Sequence, residues 1–111
     1  MKTFVMMSRL RLQGPSLIEV ASRMRDGEEV GRAWVEKAKE LVPEAQFVAH
    51  YALLGSYDFM DIYQAPDEKI AAKVAMIGSA SGAFSVETWT AIPDNHLAEI
   101  AREVKEKGGK G

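Results

Sequence analysis

An α+β fold with a single antiparallel sheet is predicted by three features of the sequence. Two apolar-rich runs of strand length, Phe47 to Leu54 and Phe59 to Gln64, flank the four residues Gly55-Ser56-Tyr57-Asp58. Glycine supplies a positive φ there and aspartate bonds its own turn backbone, which makes the segment a β-hairpin. Two more strand-like runs lie near the ends of the chain, and between strands the apolar residues recur at helical spacing. At 111 residues the chain has length for one core and not for two. One domain is expected over residues 1–111, with a core at 1–93 and a C-terminal helix at 94–107.

The elements follow in order. Residues 3–10, Thr-Phe-Val-Met-Met-Ser-Arg-Leu, form a first strand that Gln13-Gly14-Pro15 ends. Ser16, with Glu19 as its capping-box partner, starts a helix whose face carries Leu17, Val20, Ala21 and Met24. Asp26-Gly27 interrupts that pattern, and a second stripe of Val30, Trp34, Ala38 and Leu41 runs to Pro43. Two helical pieces with a break or kink near Gly27 are expected; the alternative is one bent helix that carries Gly27 and Gly31 at about 1 kcal/mol each relative to alanine, with the bend there.

After the hairpin, Pro66-Asp67-Glu68 opens a helix with Ile70, Ala71, Val74 and Ile77 on one face. It is expected to stop at Gly78-Ser79-Ala80-Ser81-Gly82, read as a plain connector because phosphate-cradling loops follow a strand and open a helix. Phe84 to Ile92 is the last strand, closed by Pro93. A final helix, capped by Asp94 or Asn95, carries Leu97, Ile100, Ala101 and Val104 and ends at Gly108-Gly109. The order β-α-β-β-α-β with a helix added is that of a ferredoxin-like four-stranded antiparallel sheet with its helices on one face.

Composition narrows the function classes. Fourteen basic against sixteen acidic residues leave a net charge of −2 with no Lys or Arg stripe, so no nucleic-acid partner is expected. The absence of cysteine excludes thiol catalysis and Cys-ligated metals. No apolar run approaches the roughly 18 residues of a membrane span, so no membrane partner is expected and the cytoplasm is the default compartment. His50 and the isolated His96 lack zinc-ligand spacing, and Asp58 with Asp61 only suggests an oxygen site. Neither a metal nor a cofactor is expected.

The strands are apolar on both sides. Phe4 and Met6 alternate with Val5 and Met7; Phe47, Tyr51 and Leu53 with Val48, Ala52 and Leu54; Phe59 and Tyr63 with Met60 and Ile62. Helices cover one face, and an apolar second face needs its own cover. A homodimer through the sheet face is expected, because a two-fold partner using the same patch is the simplest cover. Trp89, opposite Val86, Thr88 and Thr90, falls on that face.

Tyr51-Ala-Leu-Leu-Gly-Ser-Tyr-Asp-Phe59, then Ala65-Pro66-Asp67, an alanine-rich helix, a Gly-Ser loop and Val86-Glu87-Thr88, closely resembles the GYD-domain family of small bacterial and archaeal proteins. Gly55, Tyr57 and Asp58 are the residues of its name. The resemblance covers roughly residues 1–93 and implies a ferredoxin-like fold of the dimeric α/β-barrel type, in a family without an established activity. The longer first crossover, residues 13–45, and the helix after Pro93 depart from the usual pattern.

Tyr57 and Asp58 offer a hydroxyl and a carboxylate at the hairpin end; the structural alternative is a turn whose Asp accepts backbone N–H bonds while Tyr packs over the strand ends. His50, Asp61, Glu87 and Arg9 are polar residues in apolar strands. Arg9 with Glu87 suits a structural salt bridge, whereas His50 or Asp61, once desolvated, suits a general base. The candidate catalytic residues are therefore His50, Asp58 and Asp61, and the candidate ligand-binding residues Tyr57, Asp58, His50 and Tyr51. In a regular strand His50 and Tyr51 point to opposite faces and cannot line one pocket. The expected function is binding of a small apolar or aromatic molecule between sheet and helices by a homodimer, with a regulatory role. The alternative, on fold analogy, is a cofactor-free monooxygenase or isomerase.

Overall fold

The computed structural model describes residues 1–10, 17–80 and 84–109, with side chains for all of these except 17–20, 23–24 and 27–31. The order is β1 (Lys2–Leu10), α1 (Leu17–Leu41), β2 (Gln46–Ala52), β3 (Phe59–Ala65), α2 (Glu68–Ala80), β4 (Phe84–Ala91) and α3 (Asp94–Gly109). The four strands form one sheet in the order β2-β3-β1-β4, every neighbouring pair antiparallel. This is the ferredoxin-like arrangement, with β1 and β3 central and a third helix appended. Among the described residues no helix is long and apolar enough to cross a membrane.

α1 is one helix and not two pieces: Gly27 and Gly31 lie within it. The two glycines cost roughly 2 kcal/mol together relative to alanine, less than the burial of Trp34 and Ala38 on its C-terminal half and Val42 just past its end returns. Those three residues follow an i, i+4 row, which puts Val42 in the core at 2% exposure and turns the expected Leu41 out to solvent. The Ser16 cap, and the side chains of Leu17, Val20, Met24 and Val30, fall outside the described residues. α2 begins where Asp67 Oδ1 accepts the Ile70 N–H at 3.1 Å, an N-cap. It runs through Gly78, Ser79 and Ala80, two residues beyond the expected stop, and Ser79 Oγ donates back to the Ala75 carbonyl at 2.8 Å; the rest of the expected connector, Ser81 and Gly82, lies outside the described residues.

The core fills the space between the sheet and the first two helices. β1 contributes Phe4, Met6 and Leu10, β3 contributes Phe59 and Tyr63, β4 contributes Phe84, and Trp34 and Val74 cover them. The rings interlock: Phe4 stacks on Tyr63 at 5.7 Å, Phe47 tilts against Tyr63 at 5.4 Å, and Trp34 meets Phe47 edge-on at 5.8 Å. Gly78 lets α2 come close to β1, since a Cβ there would sit 3.0 Å from the Met6 terminal methyl.

A register shift between Phe47 and Ala49 changes the faces of β2. Phe47 pairs with Tyr63 and His50 with Asp61, so both join the helix-side face, while Tyr51 pairs with Met60 on the open face. Strict alternation had placed Phe47 and Tyr51 together; the extra residue of the bulge reverses the parity between them.

The hairpin loop spans residues 53–58, closed by the Leu53 N–H on the Asp58 carbonyl at 2.8 Å. Gly55 has φ +152° and open space around its α-carbon. Gly55→Ala is therefore expected to cost about 1–3 kcal/mol through backbone strain alone, measured by urea denaturation. An unchanged midpoint would mean the loop relaxes to another conformation.

Candidate functional site

The chemistry concentrates where β2 and β3 pass beneath α1. His50 Nδ1 lies 2.6 Å from Asp61 Oδ1, across a directly paired position of the two strands. The bulge presents His50 to the helix side, and its ring stacks on Phe59 at 5.6 Å between centroids. Asp61 is 2% exposed while the His50 side chain keeps 45% of its surface. An ionised carboxylate only accepts hydrogen bonds, so beside ionised Asp61 a neutral imidazole carries its proton on Nδ1 and keeps Nε2 as the ring's acceptor. A cavity of about 280 Å³ opens beside the ring, lined by Arg32, Val35, Glu36 and His50.

Asp61 Oδ2 and the Tyr63 hydroxyl are both buried with no hydrogen-bond partner among the described residues. Such atoms are rare in folded proteins. Burial pushes the Tyr63 phenol up to about 12. It also raises the Asp61 carboxyl above its ordinary 3.8, and the hydrogen bond with His50 pulls the other way. A carboxyl raised on folding favours the native state while protonated. That contribution is complete below 3.8 and is lost as pH rises through the raised value. Asp61→Asn removes this titration, so the variant is expected to lack the fall in stability with rising pH and to be the more stable protein at neutral pH. Thermal melts across the acid range read this; parallel wild-type and variant profiles would contradict it.

Tyr57 and Asp58 occupy a different place. The Asp58 N–H donates to the Ser8 carbonyl at 2.9 Å, and Asp58 Oδ2 accepts the Leu10 N–H at 2.8 Å. The Asp58 side chain thus pins the hairpin loop to the end of β1, where the sequence suggested a bond within its own turn. The Tyr57 hydroxyl donates to Glu87 Oε2 at 2.6 Å, and Trp89 Nε1 donates to the same oxygen at 3.0 Å. The Tyr57 hydrogen bond, then that of Trp89, holds the Glu87 carboxyl below its usual range; the bond to Glu87 raises the Tyr57 phenol. Arg9 sits over the Tyr57 ring at 5.0 Å and donates from Nε to the Ser56 carbonyl at 2.7 Å. The salt bridge expected between Arg9 and Glu87 is replaced by this relay, because Glu87 pairs across from Met7 and Arg9 from Ser85, with Tyr57 reaching Glu87 in between.

The six polar candidates therefore divide. His50 and Asp61 come together on the helix side; Tyr57, Glu87 and Arg9 form a network on the open face; Asp58 is a structural staple. Tyr51 lies on the open face, 54% exposed, and does not meet His50, as their neighbouring positions in the strand require. No three His, Asp or Glu side chains gather for a metal among the described residues. The cavity wall from α1, Arg32, Val35 and Glu36, was missed in the sequence. Its one signal is position: Val35 follows the buried Trp34, and Arg32 and Glu36 flank it one turn apart.

The GYD domain model matches residues 4–101, so the chain belongs to the GYD-domain family. Neither a curated protein nor a solved structure matches it.

Proposed function

We propose that this GYD-domain protein binds a small, mostly apolar molecule carrying one acidic O–H or N–H group in the cavity beneath α1, and that it does so as a homodimer through its open sheet face. The observation that carries the reading is the His50–Asp61 dyad at the cavity edge. Ligand sites combine apolar walls with a few placed polar groups, and here Val35 lines the cavity beside an imidazole that is backed by the Phe59 ring and offers Nε2 as acceptor. The buried carboxylate behind it holds the ring by Nδ1 and leaves Nε2 turned to the cavity edge. The pair is matched to a phenol, an enol or a similar weak acid. The dimer is supported by the open face itself, where Tyr51 and Trp89 are 54% and 48% exposed.

The test uses para-nitrophenol, whose absorbance separates phenol from phenolate. Saturable binding with a shift toward phenolate, weakened in His50→Ala, is the expected result; no binding, or equal binding by the variant, would end this reading. Sedimentation of the same samples reads the dimer, and a monomer at micromolar concentration would remove that part.

The same dyad favours a second reading, proton abstraction from a bound substrate as the first step of a cofactor-free oxidation or isomerisation. Nε2 would take the proton while Asp61 stabilises the imidazolium. Exchange of the activated methylene protons of phenylacetone into deuterated water, accelerated by wild type and not by His50→Ala, distinguishes catalysis from binding.

A further inference from the structure

α3 buries no side chain against the rest of the described residues. None of its residues is buried, and Leu97, Ile100 and Val104 are 52%, 46% and 66% exposed along one stripe. The connection from β4 is only Ile92 and Pro93, and the helix closes at once, with the His96 and Leu97 N–H groups donating to the Pro93 carbonyl at 3.0 and 3.1 Å. No free residues remain to swing it back, and Pro93 has a fixed φ. The protein is accordingly extended, 61 × 32 × 18 Å with a radius of gyration of 17.5 Å, where a compact chain of this length would have roughly 13 Å.

The C-terminal half of β4 is open on its helix side, where Thr88 and Thr90 are exposed. A groove runs between α2 and β4, lined by Ala72, Ala75 and Met76 from the helix and Val86, Thr88 and Thr90 from the strand. Its α2 wall is alanine-rich, which admits close approach of another helix, and Met76 at its rim is 70% exposed. A helix presenting Leu97, Ile100 and Val104 fits such a groove.

We propose that α3 of one protomer docks in the α2–β4 groove of a second copy, reciprocally, as an exchanged arm. The area supports a second copy as occupant. The accessible surface is 7636 Å², against roughly 6,000 Å² for a compact monomer of this mass. The excess, roughly 1,600 Å² per chain, exceeds the roughly 800 Å² per partner of a standard stable interface. Both halves of the contact lie on the same chain, as a two-fold exchange requires. The contact is separate from the sheet-face dimer, since the groove lies on the opposite side of the sheet.

The chain has no cysteine, so cross-linking has no background. Ile100→Cys and Ala72→Cys are made in separate chains, mixed and treated with a short bismaleimide; Leu54→Cys, fully exposed in the hairpin loop, replaces Ala72→Cys as the collision control. The expected result is a covalent species of twice 12.2 kDa formed well above the control. A species no more abundant than the control overturns the proposal, as does its absence. A double variant that links within one chain also overturns it, by showing that α3 closes its own groove. A dimer held by the sheet face alone gives the control level, so the two contacts fail separately.

Discussion

Trp34→Ala is expected to destabilise the protein by about 3–5 kcal/mol. Trp34 is 6% exposed, meets Phe47 edge-on at 5.8 Å, and lies against the close approach of α2 at Gly78. It ties α1 to both the sheet and α2. Domains of this size are stable by only about 5–15 kcal/mol in total, so the variant should unfold at markedly lower urea concentration. It should also lose para-nitrophenol binding before it unfolds, because Val35 and Glu36 of the cavity wall follow it directly on α1. A loss under about 1 kcal/mol would mean that α1 is not held to the sheet by this residue, and the cavity would lose its roof.

His50→Ala is expected to weaken the phenol probe by about 10- to 100-fold, the loss of one hydrogen bond to a charged or strongly polarised partner. Asp61→Asn keeps the shape and the burial, so its effect isolates the carboxylate. An amide can turn its NH₂ toward Nδ1, move the imidazole proton to Nε2 and remove the acceptor offered to the probe. Asp61→Asn is therefore expected to lose most of the binding that His50→Ala loses while being the more stable protein at neutral pH, a combination that general destabilisation cannot produce. The double variant should bind no worse than His50→Ala, since the two residues act as a unit. Additive losses would show that Asp61 acts on the ligand by a route other than His50.

Much of this architecture was legible in the residues. The hairpin was marked by Gly55, α2 by Asp67 and its apolar period, and the last strand by the β-branched run before Pro93, because each is set by interactions within a few residues. Membership in the GYD-domain family was legible for the same reason: its residues cluster along one stretch. The continuous α1 was not, since the local stop signal of Asp26-Gly27 is outweighed by packing of residues that lie a turn or more further on. The β2 bulge was invisible too. One extra residue in a ladder leaves no mark in the pattern, yet it decides that His50 faces the helices.

The site was legible in part. His50 and Asp61 stood out as polar residues in apolar strands, but their pairing depends on β2–β3 register. Asp58 and Tyr57 were visible as turn residues, whereas their partners, Leu10 and Glu87, are 48 and 30 residues away. The cavity wall of Arg32, Val35 and Glu36 reads in sequence as an ordinary helix surface, and only the packing of Trp34 brings it over the dyad.

The central claim, that Asp61 holds His50 with Nε2 free to accept from a ligand, is tested most directly by long-range proton–nitrogen correlation NMR of the imidazole. The chain has only two histidines, so His96→Gln assigns the signals. The neutral His50 ring is expected to carry its proton on Nδ1, and its Nε2 resonance to move on addition of para-nitrophenol and to keep still in Asp61→Asn. A proton on Nε2 in the wild-type protein, or an Nε2 signal indifferent to the probe, would contradict the dyad as the binding centre.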